Sequence, residues 1–203
     1  MPTTFTGNFD TTKVPDGPLT FTATAKDSAG NTSTLSWHVI VDNTPPAITF
    51  TQPVAGAYYS VVVPAAAVAT DANAVASIVE SSLGIVNGAS TPTFSGSWSI
   101  PAMEADGPVM VQYTACDIVF NCRSAPVSVI VDRTPPVITV KAPPPRYTNN
   151  LSQTVSLTVT ADDSGAGVEA VYAKNMTSAA NPTSGVRTPG TNIWTFSSIP
   201  LVG

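Results

Sequence analysis

Charge is what this sequence has least of: 10% of its residues are Asp, Glu, Lys or Arg, against about a quarter in an average globular domain. Its 8 basic residues face 13 acidic ones for a net charge of −5. No basic run exists that could displace counterions from a phosphate backbone, which argues against nucleic acid as a partner. With 1 histidine, His38, and 2 cysteines, no Ser-His-Asp or Cys-His machinery can be assembled. P-loop and dinucleotide fingerprints are also missing. Asp163-Ser164-Gly165 carries the tripeptide seen around an aspartic-protease carboxylate, but that chemistry needs a second, matching carboxylate. None is present, so the tripeptide is expected to be a turn and the chain is expected not to be an enzyme. Long apolar runs are lacking too. Val61 to Ala69 is interrupted by Pro64 and falls well short of the roughly 20 residues of a membrane helix, so no membrane insertion by this segment is expected. Met1 is followed by PTTFTGNF, which has neither the basic nor the apolar region of a secretory signal; a signal for export would lie outside this chain.

Thr, Ser, Val, Ala and Pro are abundant, and 43% of the 203 residues are hydrophobic, enough for packed cores. The passage VDNTPPAITF (Val41 to Phe50) returns as VDRTPPVITV (Val131 to Val140). Asp16-Gly17-Pro18 returns as Asp106-Gly107-Pro108, and Asp27 and Asn31 fall on Asp117 and Asn121 at the same spacing. A unit of about 90 residues therefore repeats.

Inside the unit the apolar period is two, the mark of a half-buried strand. Leu19, Phe21, Ala23 and Ala25 alternate with polar residues, and Val109, Val111, Tyr113 and Ala115 do so in the second copy. Trp37, Val39 and Val41 match Val127, Val129 and Val131 in the strand that follows a DSAGN or DIVFN turn. His38 falls on the outward parity. After TPP come short strands at Ile48 to Thr51 and Ile138 to Lys141, then a longer one with Val155, Leu157 and Val159 inward. Short strands punctuated by Pro, Gly and Asn, without helical periodicity, predict an all-β chain of antiparallel β-sandwiches. The proline pairs remove amide donors and fix φ, so the chain should leave one sheet stiffly extended.

VDNTPPAITF, VDRTPPVITV and the upstream DGPLTFTATAKDSAGNTS resemble the tandem bacterial immunoglobulin-like (Ig-like) repeats of surface adhesins and other secreted proteins. The resemblance implies tandem Ig-like sandwiches, one complete and two partial. Residues 1–43 would be the C-terminal strands of one partial domain, 44–133 a complete domain, and 134–203 the N-terminal strands of another partial one. The partial ends should leave apolar faces in need of partners: neighbouring domains of a longer protein, or copies of the chain itself completing each other head to tail by strand complementation.

Cys116 and Cys122 flank the second turn, where facing strands can come close enough for a disulfide. A bridge there implies an oxidising compartment; the alternative is a pair of reduced thiols. The resemblance also implies candidate calcium ligands, an aspartate of the turn and the one before TPP: Asp27 with Asp42 at one junction, Asp117 with Asp132 at the other. Asp71, Asp162 and Asp163 could approach those junctions. Calcium wants six to eight oxygens, more than these carboxylates supply, and capping of local backbone amides is the alternative use. The Asn-x-Ser/Thr sequons at Asn31, Asn150 and Asn175 are expected by chance in so Ser- and Thr-rich a chain.

Two functional classes follow. The first is a non-catalytic structural or adhesive module of an exported bacterial surface protein, extracellular or on the cell surface, with a host-surface or glycan ligand left open. The second is a carbohydrate-binding or spacer module accessory to a secreted enzyme, with Trp98, Trp194, Tyr58 and Tyr59 as candidate sugar contacts. A flat exposed row of aromatic rings would favour the second.

Overall fold

The computed structural model describes residues 4–144, 154–176 and 181–200. The fold is all-β, built from several sheets whose strands pair antiparallel except for one parallel pair. Among the described residues no helix is long and apolar enough to cross a membrane. The chain divides into two compact units. The first comprises Met1–Ala57, Val61–Pro101 and Pro108–Val129; the second comprises Tyr58–Ser60, Ala102–Gly107 and Ile130–Gly203.

The first unit opens with a 3-10 turn at Thr11–Lys13 capped by Asp10, then the hairpin of β1 (Gly17–Lys26) and β2 (Thr32–Val41). The two strands pair from Gly17↔Val41 to Lys26↔Thr32 and form a two-stranded sheet. The predicted alternation is visible only at the start of β1; β2 is exposed along its length except at Val41. Phe21 stacks on Trp37 and meets Phe9 edge to face, with ring centroids 5.5 and 5.4 Å apart. Trp37 is nevertheless 46% and Leu35 69% exposed.

A three-stranded sheet follows, β3 (Ala47–Gln52), β5 (Val62–Thr70) and β7 (Thr93–Ser99) in the order β3-β5-β7. The four-stranded sheet has the order β4-β9-β8-β6, from β4 (Tyr58–Tyr59), β6 (Val75–Glu80), β8 (Gly107–Asp117) and β9 (Cys122–Val131). The core of the first unit shows why period two matters. Val63, Ala65, Ala67 and Ala69 of β5 are buried, as are Val111, Tyr113 and Ala115 of β8 and Val127 and Val129 of β9. The Tyr113 ring lies 5.5 Å from Phe94 and 6.0 Å from Phe50. Burial leaves the phenol one polar atom to satisfy, and its hydroxyl donates to Gln52 O at 2.7 Å. Burial also pushes the Tyr113 pKa up to about 12. At the rim, Ile85 is buried against Gly96, where a Cβ would overlap it.

In the second unit, Tyr58 and Tyr59 of β4 pair in parallel with Ile130 and Val131. A four-stranded sheet runs β10-β11-β15-β14, from β10 (Val137–Ala142), β11 (Thr154–Asp162), β14 (Val186–Arg187) and β15 (Ile193–Pro200). Two short strands, β12 (Tyr172–Ala173) and β13 (Thr183–Ser184), pair apart from it. Its register repeats that of the first unit. Ile138 faces Ala161 as Ile48 faces Ala69, and both ladders slip at the same place, after Val140 and after Phe50. Val159, Ala161, Val171, Trp194, Phe196 and Ile199 form its core, with Val155, Leu157, Val168 and Ala173 packed around them. The inward face predicted for the long strand is thus partly covered: Val159 is buried in this core with Val171, while Ile138 and Val140 stay 57% and 52% exposed.

Candidate functional site

The recurring sequence blocks meet as two clasps. Asp16 accepts the Thr44 hydroxyl at 2.5 Å and the Asn43 amide at 2.7 Å. Asp106 accepts the Thr134 hydroxyl at 2.5 Å and the Arg133 amide at 2.9 Å. The Asp of DGP therefore grips the residues that lead into the proline pair, which explains why the two motifs recur together. Gly17 and Gly107 follow at φ 130° and 144°, a backbone region only glycine enters without strain. Both carboxyls are held below the usual Asp range, first by the threonine hydroxyl and then by the backbone amide of Asn43 or Arg133.

The D-x-x-x-N turns are closed alike. Asp27 Oδ1 accepts the Ala29 and Asn31 amides, and its Oδ2 accepts Asn31 Nδ2. Asp117 does the same with Val119 and Asn121. Gly30 sits at φ 94° and its counterpart Phe120 at φ 70°, so IVF reproduces with a phenylalanine a turn that SAG makes with glycine. Asp117 is fully buried; burial pulls its pKa upward, but the Asn121 side chain and the turn amides outweigh it and leave it below the usual value. Cys116 and Cys122, on either side of this turn, are joined by a disulfide. Asn31, the first sequon, spends its side-chain amide on Asp27. Asn150 lies outside the described residues, and Asn175 is half-buried.

Three carboxylates converge in the first unit. Asp42, Asp71 and Asp117 bring oxygens within 4.8 Å of one another. Sheet topology assembles them: Asp42 leads into β3, Thr70 at the end of β5 pairs with Ala47 of β3, and Val75 of β6 pairs with Asp117. Two asparagines knit the group. Asn73 donates to Asp42 Oδ2 at 2.9 Å, and Asn121 Nδ2 reaches both Asp42 O and Asp117 Oδ2. The pairing of Asp27 with Asp42 is not what the structure brings together. Asp27 closes the hairpin at the Lys26↔Thr32 end and Asp42 follows Val41 at the other, about 30 Å away for strands of this length. Likewise all of β9 separates Asp117 from Asp132 in the chain.

Asp132 belongs to the second unit, where its Oδ2 accepts the Ala166 amide at 2.5 Å and its Oδ1 the Thr134 amide at 3.3 Å. Asp163 accepts the Gly165 amide at 2.6 Å, as Asp71 accepts Asn73 N at 2.8 Å. Gly165 lies against the Asp132 carboxylate where any Cβ would overlap it, so a backbone amide does here what the Asn73 side chain does for Asp42. A cavity of about 250 Å³ opens beside it, lined by Tyr58, Asp106, Ile130, Asp132 and Ser164. Asp162 instead accepts Asn192 Nδ2. Asp163-Ser164-Gly165 is a turn closed by its own aspartate.

The remaining candidates are dispersed. His38 shares a 2.8 Å hydrogen bond with Thr20 Oγ1 on an exposed strand face. Trp194 is buried and Trp98 half-buried, which removes both from any flat exposed row; Tyr58 is 46% exposed and Tyr59 half-buried. Phe5, Phe9, Trp37, Phe120 and Tyr172 are exposed as well, and of these Phe9 and Trp37 both lie against Phe21. Sequence reasoning used Asp16 and Asp106 only as alignment anchors; their recurrence in step with TPP was the signal that they act on it.

Neither a family model nor a curated protein matches the chain. Among solved structures it is similar to the crystal structure of a tetra-tandem repeat in the extending region of a large adhesion protein, with 22% identity and a TM-score of 0.33. That match covers 97% of this chain and 52% of the other, so this chain spans about half the length of that structure.

Proposed function

We propose that this chain is a non-catalytic structural and adhesive module of tandem Ig-like sandwiches, 44–133 complete and 1–43 and 134–203 partial, from an exported bacterial surface protein. The observation that carries this reading is the repeated clasp of Asp16 on Thr44 and Asp106 on Thr134. Each clasp fastens the stiff Thr-Pro-Pro connection to the turn that precedes the penultimate strand of its unit, where a connector between beads must resist bending and pulling. The low charge and the disulfide suit an extracellular or cell-surface setting. Neighbouring Ig-like domains or further copies of the chain are its partners, meeting head to tail by strand complementation.

Calcium is the ion this reading assigns to Asp42, Asp71 and Asp117, a hard-oxygen group whose carboxylates already lie within 4.8 Å of one another. Amide knitting by Asn73 and Asn121 is the competing use of the same atoms. A melting curve decides between them: calcium should raise Tm in the wild type and not in Asp71→Asn, and an unchanged wild-type Tm rejects the ion.

The function itself is tested by pulling single chains. A middle unit of about 90 residues should release about 300 Å of contour in one cooperative step, and extension without such a step overturns the proposal. The second reading, a glycan-binding accessory, draws on the half-exposed Phe21–Trp37 stack. Glycan binding lost in Trp37→Ala would establish it.

A further inference from the structure

Strand β7 is hydrogen-bonded to β5 on one side only, in the order β3-β5-β7, and an unpaired edge is a template for pairing with other strands. Part of that edge is closed by a side chain. Asn87, in the segment between β6 and β7, donates from Nδ2 to Thr93 O at 3.0 Å and accepts the Ser95 amide on Oδ1, also at 3.0 Å. Its one amide group supplies the donor and the acceptor that a neighbouring strand would offer. The next residue continues the pairing, with the Gly88 amide donating to Ser95 O at 2.7 Å. The Ala89 amide folds back on Asn87 Oδ1 at 2.9 Å.

Asn87-Gly88 is also the one Asn-Gly step in the sequence. Such a step carries its own chemistry, because a backbone nitrogen unhindered by a following Cβ can approach the side-chain carbon of the asparagine before it. The bond that forms joins Gly88 N to Asn87 Cγ. The bond that breaks is Cγ to Nδ2, and the side-chain nitrogen leaves as ammonia with the proton of the Gly88 amide. Water then opens the succinimide ring at either carbonyl, giving aspartate or isoaspartate. Burial does not keep water away, since Gly88 is exposed and Asn87 half-buried. Hydrogen bonding is what restrains the reaction in the folded unit. The proton that must leave the Gly88 nitrogen is held by Ser95 O, and the Nδ2 leaving group by Thr93 O.

We propose that Asn87 is a deamidation site that unfolding opens and that the closed edge of β7 protects. The modification acts back on the fold. Aspartate turns an oxygen toward Thr93 O where Nδ2 donated, and isoaspartate adds a methylene to the chain before Gly88, which moves the Gly88 amide off Ser95 O. A unit that has stayed open long enough to react therefore closes with this part of β7 bare, and carries a permanent chemical record of having unfolded.

The whole chain is incubated in mildly alkaline buffer, native and in guanidinium chloride, and the peptide bearing Asn87 is followed by mass spectrometry. Conversion should run ~100-fold more slowly in the native chain, because it waits on local opening. Deuterium exchange of the native Gly88 amide should be slowed by a similar factor, since it needs the same opening. Equal conversion rates in the two conditions overturn the proposal. So does a Gly88 amide that exchanges freely while Asn87 stays intact. Gly88→Ala tests the chemistry in guanidinium, where its effect on the fold is immaterial: conversion should slow severalfold, and an unchanged rate overturns attack by the Gly88 nitrogen. Asn87→Asp reproduces one product and should lower the urea midpoint of the chain; an unchanged midpoint overturns the side chain as a closure of the edge.

Discussion

Phe196 fills the space that a Cβ on Gly185 would need, and one repeat earlier Ile85 does the same to Gly96. The register places both contacts at the same strand position. Phe94 pairs with Ala67 and Trp194 with Val159, which sets Gly96 on Phe196; Ile85 and Gly185 are the residues that meet that strand position in the two units. A large residue on the loop against a glycine on the strand has become a glycine on the loop against a large residue on the strand.

That exchange makes a double-mutant cycle decisive. Gly185→Ile should destabilise the second unit by overlap with Phe196, and Phe196→Gly by about 3–5 kcal/mol through the cavity it leaves. The double variant restores the large–small pair in its other orientation and should recover about 1–3 kcal/mol of the summed loss. Chemical denaturation of the three variants measures the coupling, and strict additivity would show that the two sites do not share a space.

The clasps predict a paired effect. Thr44→Val and Thr134→Val remove the hydroxyls that Asp16 and Asp106 accept while keeping the shape of the side chain. Each should lower Tm by a few degrees at neutral pH, and the two losses should add because no partner is shared. Scanning calorimetry of the single and double variants checks this; an unchanged Tm in both would remove the clasp as a structural element.

Phe120 holds φ at 70° with its side chain 85% exposed, so it carries a strained backbone with little packing in return. Phe120→Gly should stabilise the turn by about 1 kcal/mol, read as a higher denaturation midpoint. A lower midpoint would mean that the ring contributes more than its exposure implies.

Glu80 is buried and its carboxylate gathers the amides of Ser82, Leu83 and Ile85. Burial pulls its pKa upward, yet the Ser82 hydroxyl and those amides outweigh it, and the group ends below its ordinary value of 4.5. A depressed carboxyl stabilises the folded state fully above 4.5 and loses that contribution as pH falls below it; Asp16, Asp27, Asp106 and Asp117 act in the same direction below 3.8. Glu80→Ala should therefore cost about 3 kcal/mol at pH 7, by leaving buried amides unpaired. It should also weaken the loss of stability between pH 4.5 and lower values. Urea midpoints across that range test both.

Strand identity was legible because burial on one side of a sheet imposes period two on the sequence, as in Val111, Tyr113 and Ala115. The turns were legible because Asp and Asn at fixed spacing close the same hydrogen bonds wherever they occur. An apolar face left open at each partial end was expected from the phase of the repeats, although the alternation of Leu19, Phe21 and Ala23 by itself does not say whether another sheet lies against them. The carboxylate group was legible in part, since Asp71 was expected to approach a junction. The meeting of Asp42 with Asp117 was not read, because Asp42 was matched with Asp27 and Asp117 with Asp132, along the chain. What unites Asp42, Asp71 and Asp117 is the lateral pairing of β3 with β5 and of β6 with β8. Local chemistry, the period, the turn and the proline punctuation, resides in neighbouring residues and was determined by the sequence alone. Which distant carboxylates meet depends on strand order and register, and only the tertiary structure decided it.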